Sequence, residues 1–212
     1  MIDDKCKKCR RAAQKLFLKS GKCYTAKCPL TRKPYIPGIF GKTRGKHSKR
    51  GVSEYGSQLR EKQKIRFTYG LREKQFSNYV KEAKKKSEID VSAALFNILE
   101  SRLDNVVFRL GLAESRSRAR QIVSHGHIMV NTRKVNIPSY RVKLGDKIYI
   151  RPQSLSKGIF KDLEIRLKKY DSSSWLKLDK DLTSGNVAGK PAIGDEMGME
   201  DSLNVIMEFY SR

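Results

Sequence analysis

Acidic residues are scarce in this chain of 212 residues: 22 Asp and Glu face 46 Lys and Arg, for a net charge of +24. Such an excess predicts a polyanionic partner. No run of about eighteen apolar residues occurs, so no segment is built to span a bilayer, and a membrane surface is the weaker reading of the charge. The first residues, MIDDKCKKCRR, lack the apolar core of a signal peptide, which predicts a cytosolic chain, or an organellar one after loss of a transit peptide. Histidine is down to three residues, His47, His125 and His127, and no carboxylate or nucleophile accompanies them at a catalytic spacing. There is no G-x-x-x-x-G-K-[ST] loop, nucleophile elbow or metallohydrolase motif. Catalysis is therefore not expected. Hydrophobic residues make up 38% of the chain, enough for a core of modest size.

The charge is unevenly placed. Residues 1–90 hold 26 Lys and Arg against 8 Asp and Glu, residues 91–151 hold 11 against 4, and residues 152–212 hold 9 against 10. The anion-facing surface is expected from the first half and the central stretch, with a structural C-terminal part.

The central stretch, Ser101 to Arg151, organises the chain. Leu99, Leu103, Val106, Val107 and Leu110 recur at helical spacing and predict one amphipathic helix, ended by Gly111 as a left-handed cap. Ser115 is placed to cap a second, short helix with Ala119, Ile122 and Val123 as its apolar stripe, ended by Gly126. The period then changes to two: Ile128 and Val130, a turn over Asn131–Lys134, then Val135 and Ile137, and a last pair, Ile148 and Ile150, after Gly145-Asp146. Arg116 and Arg118 fall in the first turn of the short helix, where cations are unfavourable unless an anion sits at the helix start. Arg120 is one turn beyond Arg116.

This spacing resembles the small RNA-binding module named after the fourth protein of the small ribosomal subunit. The residues that carry it are Ser115–Arg120, Val123–His127, Val130-Asn131, Val135-Asn136, Pro138–Tyr140 and Gly145-Asp146. The module also occurs in pseudouridine synthases, tyrosyl-tRNA synthetases and stress proteins. It implies RNA binding and leaves an RNA-modifying or other extraribosomal protein as the alternative. That alternative needs a catalytic domain for which the flanks leave no room.

The cysteines are confined to the N-terminus, as Cys6, Cys9, Cys23 and Cys28, in the pattern C-x2-C-x13-C-x4-C. Two thiol pairs separated by a loop read as a four-thiolate structural zinc site, the first pair forming a tight knuckle, with an iron–sulfur cluster as the other occupant four thiolates suit. Lys7, Lys8, Arg10, Lys22 and Lys27 surround that charge. Residues 29–52 read as a linker rich in Pro and Gly, its lysines and arginines able to lie along phosphates.

Ser53 is placed to cap a helix ended by Gly70, and Phe76, Tyr79, Val80 and Ala83 predict a second helix with these side chains in the core. Ser92 is expected to cap the helix that enters the central stretch. Ser53–Gly56, Gln58–Lys64, Tyr69-Gly70 and Glu73–Phe76 resemble the N-terminal domain of the bacterial-type small-subunit ribosomal protein S-four family. The cysteine spacing is similar to that family's zinc-bearing branch, and Ile206–Arg212 resembles its C-terminus. Residues 39–41 and 194–204 depart from the family pattern.

Leu163, Ile165 and Leu167 alternate and predict a strand, as does Trp175–Leu178, with Trp175 a packing anchor. Asp181–Gly198 is expected to be loop, and Ser202–Tyr210 a final helix with Leu203, Ile206 and Phe209 on one side.

The expected fold is α+β. A mainly helical N-terminal domain with a four-cysteine zinc knuckle carries an inserted helix–helix–β module. Boundaries are expected at 1–50 for the knuckle and linker, 51–95 with 181–212 for a discontinuous helical domain, and 96–180 for the module. The resemblance implies a structural protein that binds small-subunit rRNA, nucleates subunit assembly and influences decoding accuracy within the cytoplasmic small subunit. It implies one structural Zn²⁺, the third and fifth small-subunit proteins as neighbours and mRNA near its entry path, with no membrane and no small-molecule substrate. Expected rRNA contacts are Lys7, Lys8, Arg10, Arg44, Lys46, His47, Lys49, Arg50, Tyr55, Arg60, Lys62, Arg116, Arg118, Arg120, Gln121, Ser124, His125 and Asn131.

Overall fold

The computed structural model describes residues 4–39, 41, 53–86, 90–168, 170–179, 181, 183–193 and 199–211. The chain divides into two units, Met1–Val80 with Asp201–Arg212, and Lys81–Glu200.

The first unit opens on helix α1 (Asp4–Ala12), with Asp4 at the end where a carboxylate suits the dipole. Cys6 and Cys9 are therefore one helical turn apart, where a tight knuckle was expected. Three-residue spacing serves a helix face as well as a turn. Cys9, Ala12 and Leu16 form a small core with Leu18 and Phe67. Helix α2 (Pro29–Arg32) starts on a proline, whose missing N–H is one the first turn leaves unbonded anyway. Helix α3 (Glu54–Thr68) is capped by Ser53, whose Oγ accepts the Gly56 N–H at 3.2 Å. Gly70 follows with φ +63°, a conformation that glycine adopts without steric cost. Helix α4 (Glu73–Lys86) buries Phe76, Tyr79, Val80 and Ala83, the predicted core side. The C-terminal helix, Met199–Phe209, buries Leu203 and Ile206 and returns to α3, where Gln58 donates to Glu208 at 3.3 Å.

In the second unit, helix α5 (Val91–Glu100) is capped by Asp90, which accepts the Ala93 N–H at 2.8 Å. The expected cap, Ser92, lies inside the first turn and is buried. Helix α6 (Leu103–Arg109) is separate from α5, although one continuous helix was expected. Arg102 is extended and bridges Arg141, and the Leu103 and Asp104 amides donate to Tyr140 and Pro138 carbonyls at 2.8 and 3.1 Å. Those bonds to a later loop replace the intrahelical ones, so the apolar stripe continues while the helix breaks. Helix α7 (Arg116–Ser124) is capped by Ser115, whose Oγ accepts the Arg118 N–H at 3.3 Å.

Five antiparallel strands follow: β1 (Ile128–Val130), β2 (Arg133–Lys134), β3 (Lys147–Ile150), β4 (Leu176–Leu178) and β5 (Ser184–Val187), in the order β2-β1-β3-β5-β4. β2 ends at Lys134, so Val135 and Ile137 are not the strand expected of them. Helices α8 (Pro152–Leu155) and α9 (Leu163–Leu167) lie between β3 and β4. The segment read as a strand from Leu163, Ile165 and Leu167 is thus helical: Leu163 and Leu167, one turn apart, are buried while Ile165 is exposed. The predicted loop after Asp181 contains β5.

The core of this unit is shared between helices and sheet. Leu103, Val106, Val107 and Leu110 of α6 and Ala119, Ile122 and Val123 of α7 meet Ile128, Ile148, Ile150 and Trp175. No helix among the described residues is long and apolar enough to cross a membrane.

Candidate nucleic-acid interface

Burial of Ala119, Ile122 and Val123 turns the opposite side of α7 outward. Gln121, Ser124 and His125 are exposed, and Arg118 lies half-buried beside them, its guanidinium donating to Gln121 Oε1 at 2.7 Å. These four residues form one stripe from the first turn of α7 to its C-cap. Cations in that first turn oppose the helix dipole, so the stripe is better suited to an anion than to the isolated helix.

The other two arginines of α7 are held within the protein. Arg120 donates to Asp104 from Nε and Nη2 at 2.8 and 2.6 Å. Asp104 is buried and also accepts from the buried Arg102 at 3.0 and 2.8 Å. Arg116 donates to Asn105 Oδ1 at 2.7 Å and lies 4.7 Å from the centre of the Phe108 ring. Glu100, also buried, takes two bonds from Arg109 at 2.9 and 3.1 Å and lies 3.8 Å from Arg116. Arg116 and Arg120 thus fix α7 on α6, while Arg118 points along its outer side.

Asn131 sits at φ +55°, a left-handed position that Asn tolerates. Its side chain donates to Asp146 at 3.0 Å and accepts the Lys147 N–H at 3.0 Å, so it ties the β1–β2 turn to the start of β3. Next to it, β2 presents two exposed bases that the sequence reading assigned only to a turn, Arg133 and Lys134. The Lys134 side chain runs over Gly126, where an added Cβ would come within 2.3 Å of its Cε. Buried His127 pairs through Nδ1 with Ser154 Oγ at 3.0 Å. Burial lowers its pKa, and electrostatic interaction with Lys157, His125, Arg151 and Lys134 lowers it further. Just beyond the C-terminal end of α7 lie Lys134, over Gly126, and Arg151, whose backbone N–H donates to the His127 carbonyl at 2.8 Å. Both reach α7 through the fold rather than through adjacency in the chain.

In the first unit, Lys7 pairs with Asp4 at 2.9 Å and Lys8 lies 5.0 Å from the centre of the Phe67 ring. Arg10 is buried, donates to the Tyr35 carbonyl at 2.9 Å and stacks on the Tyr35 ring. Lys62 is buried between Glu73, at 2.6 Å, and the Phe209 ring, whose centre is 4.5 Å away. Burial pushes the Glu73 carboxyl up, but bonds from Lys62 and the Tyr210 hydroxyl outweigh it and hold the pKa below the usual carboxylate value. Tyr55 and Arg60 are exposed. Arg44, Lys46, His47, Lys49 and Arg50 lie outside the described residues.

Cys6, Cys9, Cys23 and Cys28 are all buried and unbridged. Burial pushes the Cys9 thiol up, a backbone hydrogen bond at Leu16 opposes this, and Cys23, Cys6 and Cys28 push it further. Among the described residues, no three His, Cys, Asp or Glu side chains form a ready metal-holding group.

A family model described as "Ribosomal protein S4/S9 N-terminal domain" matches residues 1–100, and one described as "S4 domain" matches residues 101–148. The chain is 46% identical over 207 residues to the small ribosomal subunit protein uS4 of Pelotomaculum thermopropionicum, covering 98% of this chain and 96% of that one. The uS4 protein of Caldicellulosiruptor bescii is 45% identical over 211 residues, covering 100% and 98%. That of Thermotoga petrophila is 42% identical over 207 residues, covering 98% and 96%.

Proposed function

The chain belongs to the uS4 family of small-subunit ribosomal proteins, and from this premise we propose that it is a structural, non-catalytic component that binds small-subunit rRNA. The observation that carries the reading is the outer stripe of α7, Arg118, Gln121, Ser124 and His125, with Lys134 over Gly126 and Arg151 bonded to His127 just beyond the helix. Cations on a rigid helix and sheet suit phosphates at fixed spacing. RNA is then recognised by shape, because the A-form major groove is too narrow for side chains to read. Nucleation of subunit assembly, an influence on decoding accuracy, contacts with the third and fifth small-subunit proteins and a place near the mRNA entry path are proposed with it, on the strength of the family.

One structural Zn²⁺ held by Cys6, Cys9, Cys23 and Cys28 is also proposed. Its support is four buried cysteines, three of which act electrostatically on the fourth, in a segment whose own apolar core is small. Bound there, the ion would tie α1 to the segment around Cys23 and Cys28, and four protein ligands would leave no position for a substrate.

The test is competition binding of the full chain to a small-subunit rRNA fragment against bulk tRNA. Retained rRNA in excess tRNA supports the reading. Equal displacement by tRNA would reduce it to charge attraction alone.

A further inference from the structure

A cleft of about 380 Å³ lies in the first unit between α1 and α3. Its lining is Arg11 and Ala12 from α1, and Gly56, Leu59, Arg60, Gln63, Arg66 and Phe67 from α3. Three of these eight residues are arginines and none is acidic. Arg11 and Arg60 are exposed and form no ion pair among the described residues. Gln63 Oε1 and Arg66 Nε are buried atoms with no hydrogen-bond partner among the described residues, although Arg66 Nη1 lies 3.4 Å from Glu73 and its guanidinium lies over the Phe67 ring. Ala12, Leu59 and Phe67 complete an apolar wall.

These features together describe a ligand. A buried acceptor and a buried donor, each lacking its hydrogen bond, are unfavourable until a partner supplies the complementary group. The edge of a nucleobase carries both, and its faces suit an apolar wall. Two solvent-facing arginines at the mouth suit phosphates, which guanidinium groups bind in forked geometry. The volume lies near the lower end of the roughly 300–1,000 Å³ of small-ligand pockets, so one nucleotide fits and a duplex does not. We infer that this cleft takes a single ribonucleotide splayed out of an RNA strand, its base against Leu59 and Phe67 within reach of Gln63 and Arg66, and its flanking phosphates on Arg11 and Arg60. The inference rests on the proposed RNA binding and names the form in which RNA enters this unit. Single-stranded bulges and ends supply such nucleotides.

The test joins two readouts on the full chain with a small-subunit rRNA fragment. In the first, ultraviolet cross-linking and tryptic digestion are expected to give peptide Phe67–Arg72 carrying one nucleotide, unaffected by an equal concentration of free AMP or GMP. In the second, Arg11→Ala with Arg60→Ala is expected to weaken binding about tenfold and to lower the salt slope by about 1.5, for two lost phosphate contacts. Both arginines are exposed, so an unchanged melting temperature will show that folding is intact. A wild-type affinity for the double variant would overturn the inference. So would a bare Phe67–Arg72 peptide beside nucleotide-bearing peptides from Arg116–Asn131, and the RNA assignment would then stand. Loss of the adduct to free mononucleotide would overturn it in favour of a small-molecule site. No adduct anywhere and no affinity would remove the RNA assignment and the inference with it.

Discussion

Arg120 and Asp104 are joined through a single oxygen: both Nε and Nη2 of the arginine donate to Asp104 Oδ2, at 2.8 and 2.6 Å. Because Asp104 also holds Arg102, one buried carboxylate positions two arginines and ties α7 to α6. Replacing it by the isosteric asparagine would leave Arg102, which is 2% exposed, as a buried charge that has lost this carboxylate. Removing one partner of a buried pair costs about 3–5 kcal/mol. Asp104→Asn is therefore expected to lower stability by about that amount in urea unfolding, and a change below about 1 kcal/mol would show that the pair contributes little.

Arg118 and Arg120 are two residues apart and should fail differently. Arg118→Ala removes a cation whose guanidinium is tied, among the described residues, to the neutral Gln121 side chain one turn on, so rRNA affinity should fall several-fold, the salt slope should drop by about 0.7–0.9, and the melting temperature should hold. Arg120→Ala removes half of the Asp104 cradle and should lower stability by about 1–3 kcal/mol. Parallel salt titrations and thermal melts of the two variants check this. Identical behaviour would contradict the division between them.

The Glu82–Arg141 pair gives a pH signature. The Arg141 guanidinium holds the Glu82 carboxyl down to about 2, outweighing burial, with Lys86 adding to the effect. A carboxylate depressed from 4.5 to about 2 contributes stability that is fully present above pH 4.5 and lost as pH falls through 2. NMR titration of the Glu82 side chain should show this midpoint, and Arg141→Ala should return it toward 4.5. A wild-type midpoint already near 4.5 would dissolve the pair as a stabilising contact.

The zinc proposal has its own check. Metal analysis of the purified chain should find one Zn²⁺, and Cys9→Ser should reduce that content while loosening α1, because ligand binding and folding of so small a core are coupled. Hydrogen exchange over Asp4–Ala12 reads the loosening. Full zinc content in Cys9→Ser would remove that residue from the ligand set.

The elements legible in the sequence are those set by local chemistry. The caps Ser53 and Ser115 and the left-handed glycines Gly70, Gly111 and Gly126, at φ +63°, +74° and +70°, depend on a few neighbouring residues. What was misread depends on distant ones. The α5–α6 break is imposed by carbonyls of Pro138 and Tyr140, more than thirty residues away. Three alternating apolar residues in Leu163–Leu167 fit a strand as well as a single helical turn, and only burial of the first and last decides. β5, with the sequence SGNV, has little strand propensity. It forms because β3 and β4 pair on both sides and because Gly185 leaves room for Leu110, whose Cδ2 lies 2.6 Å from where a Cβ would stand.

The candidate site divides along the same line. The stripe Arg118, Gln121, Ser124 and His125 follows from helical spacing, whereas the inward ties of Arg10, Lys62, Arg116 and Arg120 follow from tertiary partners. Arg11 meets the α3 side of its cleft only once the chain has folded, since those residues are more than forty positions away, whereas Arg66 shares its helix with most of the lining.

The central claim is selective recognition of small-subunit rRNA, and it is tested most directly by native mass spectrometry of the full chain with an rRNA fragment and excess bulk tRNA. The expected result is a one-to-one rRNA complex that tRNA does not displace. A mixed population following the concentrations of the two RNAs would mean that the chain's +24 net charge, not its shape, governs binding.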